Sequence, residues 1–176
     1  IDLAYVQGDF PVPNNTTRTG RRRCPAAATV ISGGAYLTGG GVGAEVASMG
    51  PFDGPDPDRR PDDGFQASAS GDREGAQTAT VYAICSANSE VRYVSEERSL
   101  PKRDVAKATA RCPGITSASG GGAAVSNPNL KIELSASRPF DSDDPDSAPS
   151  NGWSGGAANG TRKPRRLTVT AICVVP

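Results

Sequence analysis

The chain superimposes on itself. Shifted by 88 residues, its 176-residue sequence places Cys24 on Cys112 and Cys85 on Cys173 without a gap. In that one register 24 of 88 positions are identical. They include Tyr5-Val6 with Tyr93-Val94, Gly33-Gly34-Ala35 with Gly121-Gly122-Ala123, and Pro51-Phe52-Asp53 with Pro139-Phe140-Asp141. Ala83-Ile84-Cys85 likewise falls on Ala171-Ile172-Cys173. Such self-similarity means one small fold written twice. Two domains are expected, residues 1–88 and 89–176. A residue present in both copies serves the fold, and one present in a single copy serves something local.

Units of this size bury a modest share of their surface. Apolar residues make up 36% of the chain and aromatics 5%, so each core is thin and needs a covalent staple. Each copy carries two cysteines, 61 positions apart. Four cysteines allow three pairings. Only Cys24–Cys85 with Cys112–Cys173 keeps both copies self-contained. A bridge closing a loop of that length stabilises by about 4 kcal/mol, against the roughly 5–15 kcal/mol that holds a domain together. Zinc is a poor alternative, because the chain has no histidine and no C-x-x-C spacing.

Paired cysteines imply an oxidising compartment. No apolar run approaches the length of a membrane span. With Ile1 at its start and no leader-like apolar stretch, the chain reads as the mature form of an exported protein, placed outside the cell or on its surface. Asn14, Asn15 and Asn159 stand in N-x-[ST] sequons. The formal charge is zero overall but unevenly spread. Copy one has seven arginines against ten acids, and copy two has twelve basic residues against nine acids. Opposite signs favour head-to-tail contact, within or between chains.

Hydrophobic alternation has period two. Leu130, Ile132, Leu134 and Ala136 share a face, with Lys131, Glu133 and Ser135 on the other. The equivalent stretch places Val42, Ala44, Val46 and Ser48 inward and Gly43, Glu45 and Ala47 outward. Ala79, Val81, Ala83 and Cys85 share the core face of a closing strand, as do Leu167, Val169, Ala171 and Cys173. Further strands are expected at Leu3–Val6, Thr17–Arg23 and their equivalents. The Gly33-Gly34-Ala35 run suggests a bulge or close backbone approach. Phe65 and Trp153, each after a matched glycine, plug the two cores. No helical stripe exists, and 21 Gly with 15 Pro punctuate the chain. The expected fold is all-β: two tandem antiparallel β-sandwiches or small barrels of six to eight strands, each with its own disulfide. The terminal stretch Ile1–Pro13 could instead complete a neighbour's sheet.

The pattern Cys112-Pro113-Gly114, Gly120-Gly121-Gly122-Ala123, Ser137-Arg138-Pro139, Gly152-Trp153 and Ala171-Ile172-Cys173 resembles a repeat found in exported actinobacterial and phage-associated proteins. Copy one departs from it at Ala26, Ser32 and Phe65. The resemblance implies an exported β-module and carries over no catalytic residue.

Without histidine, Ser-His-Asp, Cys-His and zincin chemistry are excluded. Bridged cysteines supply no thiol nucleophile. Gly39-Gly40-Gly41-Val42-Gly43 lacks the Lys-Ser/Thr of a phosphate loop. No catalytic residues are assigned. Glu45 and Glu133 read as surface residues. The basic clusters Arg21-Arg22-Arg23 and Arg162-Lys163-Pro164-Arg165-Arg166 read as charge on a strand edge. They lack the interleaved aromatics of a nucleic-acid site. The acidic loops are the best binding candidate. Asp53, Asp56 and Asp58, repeated as Asp141, Asp144 and Asp146, offer hard oxygens to calcium, although the spacing is not that of an EF-hand. The alternative is a proline-stiffened solvated loop.

The expected function is non-enzymatic: an exported structural or adhesive protein, with itself or a surface glycan as partner. A calcium-dependent carbohydrate-binding module is the second reading, and an exported protease inhibitor the third.

Overall fold

The structure, a computed structural model, describes residues 2–39, 43–72, 75–142 and 148–175. Every regular element among them is a strand. The first copy holds β1 (Leu3–Val12), β2 (Thr17–Arg23), β3 (Thr29–Thr38), β4 (Glu45–Phe52), β5 (Gly64–Ser70) and β6 (Gln77–Ser86). The second holds β7 (Val91–Leu100), β8 (Asp104–Arg111), β9 (Ser117–Val125), β10 (Ile132–Phe140), β11 (Gly152–Asn159) and β12 (Arg165–Val174). Six strands per copy, on matched segments, make each copy an antiparallel sandwich. β1-β6-β3 faces β2-β5-β4 in the first, and β7-β12-β9 faces β8-β11-β10 in the second.

β1 and β7 run further than expected, to Val12 and Leu100. β1 pairs along its whole length with β6 of its own chain, so it is already committed to a sheet. The disulfides form as expected. Cys24–Cys85 and Cys112–Cys173 span Cα distances of 5.7 and 5.6 Å. Each joins the residue after the second strand to the last strand, and so ties one layer of its sandwich to the other.

The same two irregularities occur in both copies. β3 bulges at Ile31 against β6, and β9 bulges at Ser119, the equivalent residue, against β12. β4 bulges at Ala47 against β5, and β10 at Ser135 against β11. The second bulge corrects one expectation. Strict alternation placed Ala47 outward, yet it is fully buried, because an extra residue shifts the side-chain phase within the strand. Val42 lies outside the described residues.

Gly33 and Gly121 explain the glycine runs. A Cβ on Gly33 would lie 2.4 Å from the Phe65 ring, and one on Gly121 would lie 2.4 Å from the Trp153 ring. Each copy thus seats its largest core aromatic on a bare backbone. Phe65 is fully buried. Trp153 packs against the second core, and its indole N–H donates to the Ser137 hydroxyl at 2.9 Å. The expected plugs are therefore in place.

The copies are not merely strung together. β4 lies beside β9, with Met49 opposite Ala123, so one layer of each sandwich merges into a six-stranded sheet ordered β2-β5-β4-β9-β12-β7. The hydrogen bonds of the joint link neutral groups. The Tyr93 hydroxyl donates to the Val30 carbonyl at 2.6 Å. The Ser119 hydroxyl donates to the Ile31 carbonyl at 2.7 Å, and the Val125 N–H to the Ser48 hydroxyl at 3.3 Å. Gly122 admits the β4 backbone, since a Cβ there would lie 2.4 Å from the Gly50 Cα. The ion pairs seen among the described residues lie within copy two, so the charge imbalance does not make this joint.

Candidate functional site

Two regions carry chemistry beyond the needs of the core: the acidic loop of copy one and the joint.

The acidic loop connects β4 to β5. Two backbone bonds anchor its far end, Cys24 N–H to the Asp63 carbonyl at 2.8 Å and Val30 N–H to the Asp62 carbonyl at 2.9 Å. The Gly54 N–H donates to the Asp63 carboxylate and closes the loop. Within it, Asp58 N–H donates to Asp56 Oδ1 and Arg60 N–H to Asp58 Oδ1, forming successive Asx turns. This folding gathers two overlapping triads, Asp53, Asp56 and Asp63, then Asp56, Asp58 and Asp62. Within each triad the carboxylate oxygens lie within 4.8 Å of one another. The sequence-expected Asp53, Asp56 and Asp58 are therefore brought together, but not as a closed set of three. Asp62 and Asp63 complete it, and sequence reasoning passed over them because they are absent from copy two. Asp53 is exposed, yet local desolvation, then repulsion from Asp56, Asp58 and Asp63, raises its carboxyl above the usual range. Desolvation, then Asp58, Asp63 and Asp56, does the same to Asp62.

Copy two builds the same loop closure without the charge. Cys112 N–H donates to the Asn151 carbonyl and Ala118 N–H to the Ser150 carbonyl. Ser142 N–H donates to Asn151 Oδ1 at 2.7 Å. Position 63/151 thus needs only an acceptor oxygen, and the second negative charge in copy one is surplus to folding. Asp141 is exposed; Asp144 and Asp146 lie outside the described residues.

The arginine run has a local role. Arg21 and Arg23 place their guanidinium groups 5.3 and 5.8 Å from the Phe52 ring centroid, beside the acidic loop. Arg111 repeats this over Phe140 at 4.5 Å. Arg22 folds back and donates to the Arg21 and Asp9 carbonyls. β2 is the outer strand of the six-stranded sheet, so these charges line an edge, whereas Arg165 and Arg166 stand on β12, an inner strand of that sheet, and the edge reading of the second basic cluster is corrected.

At the joint, equivalent residues meet. Glu45 and Glu133 occupy the same position in the two copies. Burial, then the nearby Glu133 carboxylate, raises the Glu45 carboxyl to about 7. Its reading as a plain surface residue is corrected. The one hint in the sequence is that glutamate stands at both equivalent positions. A raised carboxyl favours the folded state most while it is protonated. This contribution is complete below pH 4.5 and is lost as pH rises through about 7. Glu45 is half-exposed and solvent screens the pair, so the effect is on the order of 1 kcal/mol. Glu45→Gln is expected to raise the melting temperature at pH 8 by about 2–4 °C and to leave it unchanged at pH 4. Parallel pH profiles for the variant and the parent chain, measured by thermal melts, would count against the contact.

The joint also treats one face of the two copies differently. Tyr93 and its cross-strand neighbour Ile172 lie on the outer face of copy two. Ile172 is fully buried, and Tyr93 packs against the core cluster of copy one. Burial, then nearby Asp62, pushes the Tyr93 hydroxyl well above its ordinary range. The equivalent residues of copy one stay open: Tyr5 is 60% exposed and Ile84 half-buried.

The sequon at Asn159 is not a modification site. Its side chain is 1% exposed and donates to the Leu100, Pro101 and Lys163 carbonyls.

No family model and no curated protein matches this chain.

Proposed function

We propose that this chain is an exported, non-enzymatic structural or adhesive protein that works on or outside the cell surface. The observation that carries this reading is the unequal use of one face. Copy two spends it on the joint, and copy one leaves the same face open on a body that the joint holds together. Two disulfides suit an extracellular setting, and the absence of histidine argues against the common hydrolytic arrangements. Fractionation of producing cells is expected to place the oxidised chain outside the cytoplasmic membrane. Purified protein is expected to co-sediment with isolated envelopes of those cells. Recovery in the reduced cytosol, or no retention by envelopes, would overturn the reading.

Calcium-dependent glycan binding is the second reading. What favours it is the carboxylate excess in copy one, at positions where copy two closes its loop with Ser150 and Asn151. It anticipates one calcium per chain rather than two, because only copy one supplies the full set. Titration calorimetry is expected to show a stoichiometry near one. At a hundredfold excess over the dissociation constant, calcium would stabilise the chain by about 2.7 kcal/mol. Asp56→Asn, at the carboxylate common to both triads, is expected to abolish both effects. A silent titration at millimolar calcium would remove this reading.

A further inference from the structure

We propose that the outer face of the β1-β6-β3 sheet binds a neutral polysaccharide strand without calcium. The inference rests on the adhesive reading and names its ligand. Three of the four tyrosines in the chain stand on this face, one on each strand: Tyr5 on β1, Tyr82 on β6 and Tyr36 on β3. The register makes them a diagonal. Tyr5 lies opposite Ile84, Tyr82 lies one outward step along β6 between Gln7 and Gly34, and Tyr36 lies a further step along, opposite Thr80. Such diagonal neighbours are about 7–8 Å apart, a spacing that lets successive rings meet successive sugars. Tyr5 and Tyr82 stack with centroids 5.9 Å apart and planes at 23°. Tyr36 is 50% exposed. Tyr82 lies down on the sheet because Gly34 has no side chain; a Cβ there would come within 2.4 Å of its hydroxyl oxygen.

Ring faces pack on the C–H faces of pyranoses, while equatorial hydroxyls need donors and acceptors at the rim. That rim exists. Gln7 flanks Tyr82, and the Thr80 hydroxyl donates to the Asp9 carboxylate at 2.7 Å. Asp9 is the sole charged side chain among the outward positions of the three strands, so the face offers no cation to a phosphate or uronate. This favours a neutral sugar. The fold does not require these rings. Copy two has Thr170 and Ala124 in place of Tyr82 and Tyr36, and turns its third, Tyr93, into the joint.

The test is retention of the purified chain on insoluble β-glucan, chitin and mannan, with calorimetry on their soluble oligomers, all in chelator. The parent chain is expected to bind at least one of them. Tyr5→Ala, Tyr36→Ala and Tyr82→Ala are each expected to weaken binding at least tenfold with little change in melting temperature. Gly34→Val is expected to do the same by lifting Tyr82, and Thr170→Ala in copy two to bind as the parent does. Failure of the parent chain on the whole panel, undiminished binding by the tyrosine variants, or loss of binding in chelator overturns the proposal. Envelope retention that persists in all three tyrosine variants leaves the adhesive reading intact and removes this face. Retention abolished by protease treatment of the envelopes assigns a protein partner instead and also overturns it.

Discussion

Replacing Cys24 and Cys85 together by serine is expected to destabilise the chain by about 4 kcal/mol, the chain-entropy value for a loop of 61 residues. For a protein of this length that lowers the melting temperature by roughly 8–16 °C. The size follows from the core. The inward positions of β6 are Ala79, Val81, Ala83 and Cys85, small side chains whose burial returns little apolar area. The bridge also joins opposite layers, so its loss frees both from one constraint. The unfolding curve carries a second result. Because β4 and β9 share a sheet, the damage to copy one should reach copy two, and a single shifted transition is expected. Two separated transitions, with the later one at the parental midpoint, would show that the merged sheet does not couple the halves.

The second large effect concerns the joint. Ile172→Ala is expected to cost about 2–4 kcal/mol, as for any large aliphatic residue removed from a packed interior. Ile84→Ala, the same change at the equivalent position, is expected to cost less than about 1 kcal/mol, since Ile84 is half-open to solvent. Denaturant midpoints of the two variants measured side by side decide the matter. Equal losses would mean that copy one does not cover Ile172 and that the two faces are alike in solution.

These two substitutions mark where the sequence can and cannot be read. The repeat, the alternation on the closing strands and the paired cysteines were sufficient for an all-β reading with both bridges correctly assigned. They succeed because each is a local rule, and each is stated twice. The bulge at Ala47 was not legible. A bulge changes phase within a strand, and alternation counted across it assigns the wrong face. The joint was not legible either, because Ile84 and Ile172 sit in the same Ala-Ile-Cys triplet. Nothing nearby distinguishes the buried one from the open one. The difference arises from contact with copy one, which lies far from Ile172 in sequence.

The acidic loop was half legible. Requiring recurrence in both copies drew attention to Asp53, Asp56 and Asp58 and away from Asp62 and Asp63, which complete the cluster in copy one alone. Recurrence identifies what the fold needs, and a site peculiar to one copy is filtered out by that test. The same test passes over Tyr36 and Tyr82, which copy two lacks. Tyr5, Tyr36 and Tyr82 all occupy outward phases of recognisable strands, so the pattern could have been found by asking which aromatic residues the fold does not use.

Gly50 also gives the duplication a direction. Transposing the halves of the gene would leave a glycine and a tyrosine in the places of Gly122 and Tyr93, but would bring Arg138 to the place of Gly50, whose missing Cβ would face the Gly122 Cα at 3.7 Å. The transposed protein would keep both staples and all twelve strands, yet it would meet its own neighbour through a bulky cation. The two halves have become unlike parts whose sequence order is now fixed, although each still has the plan of the other.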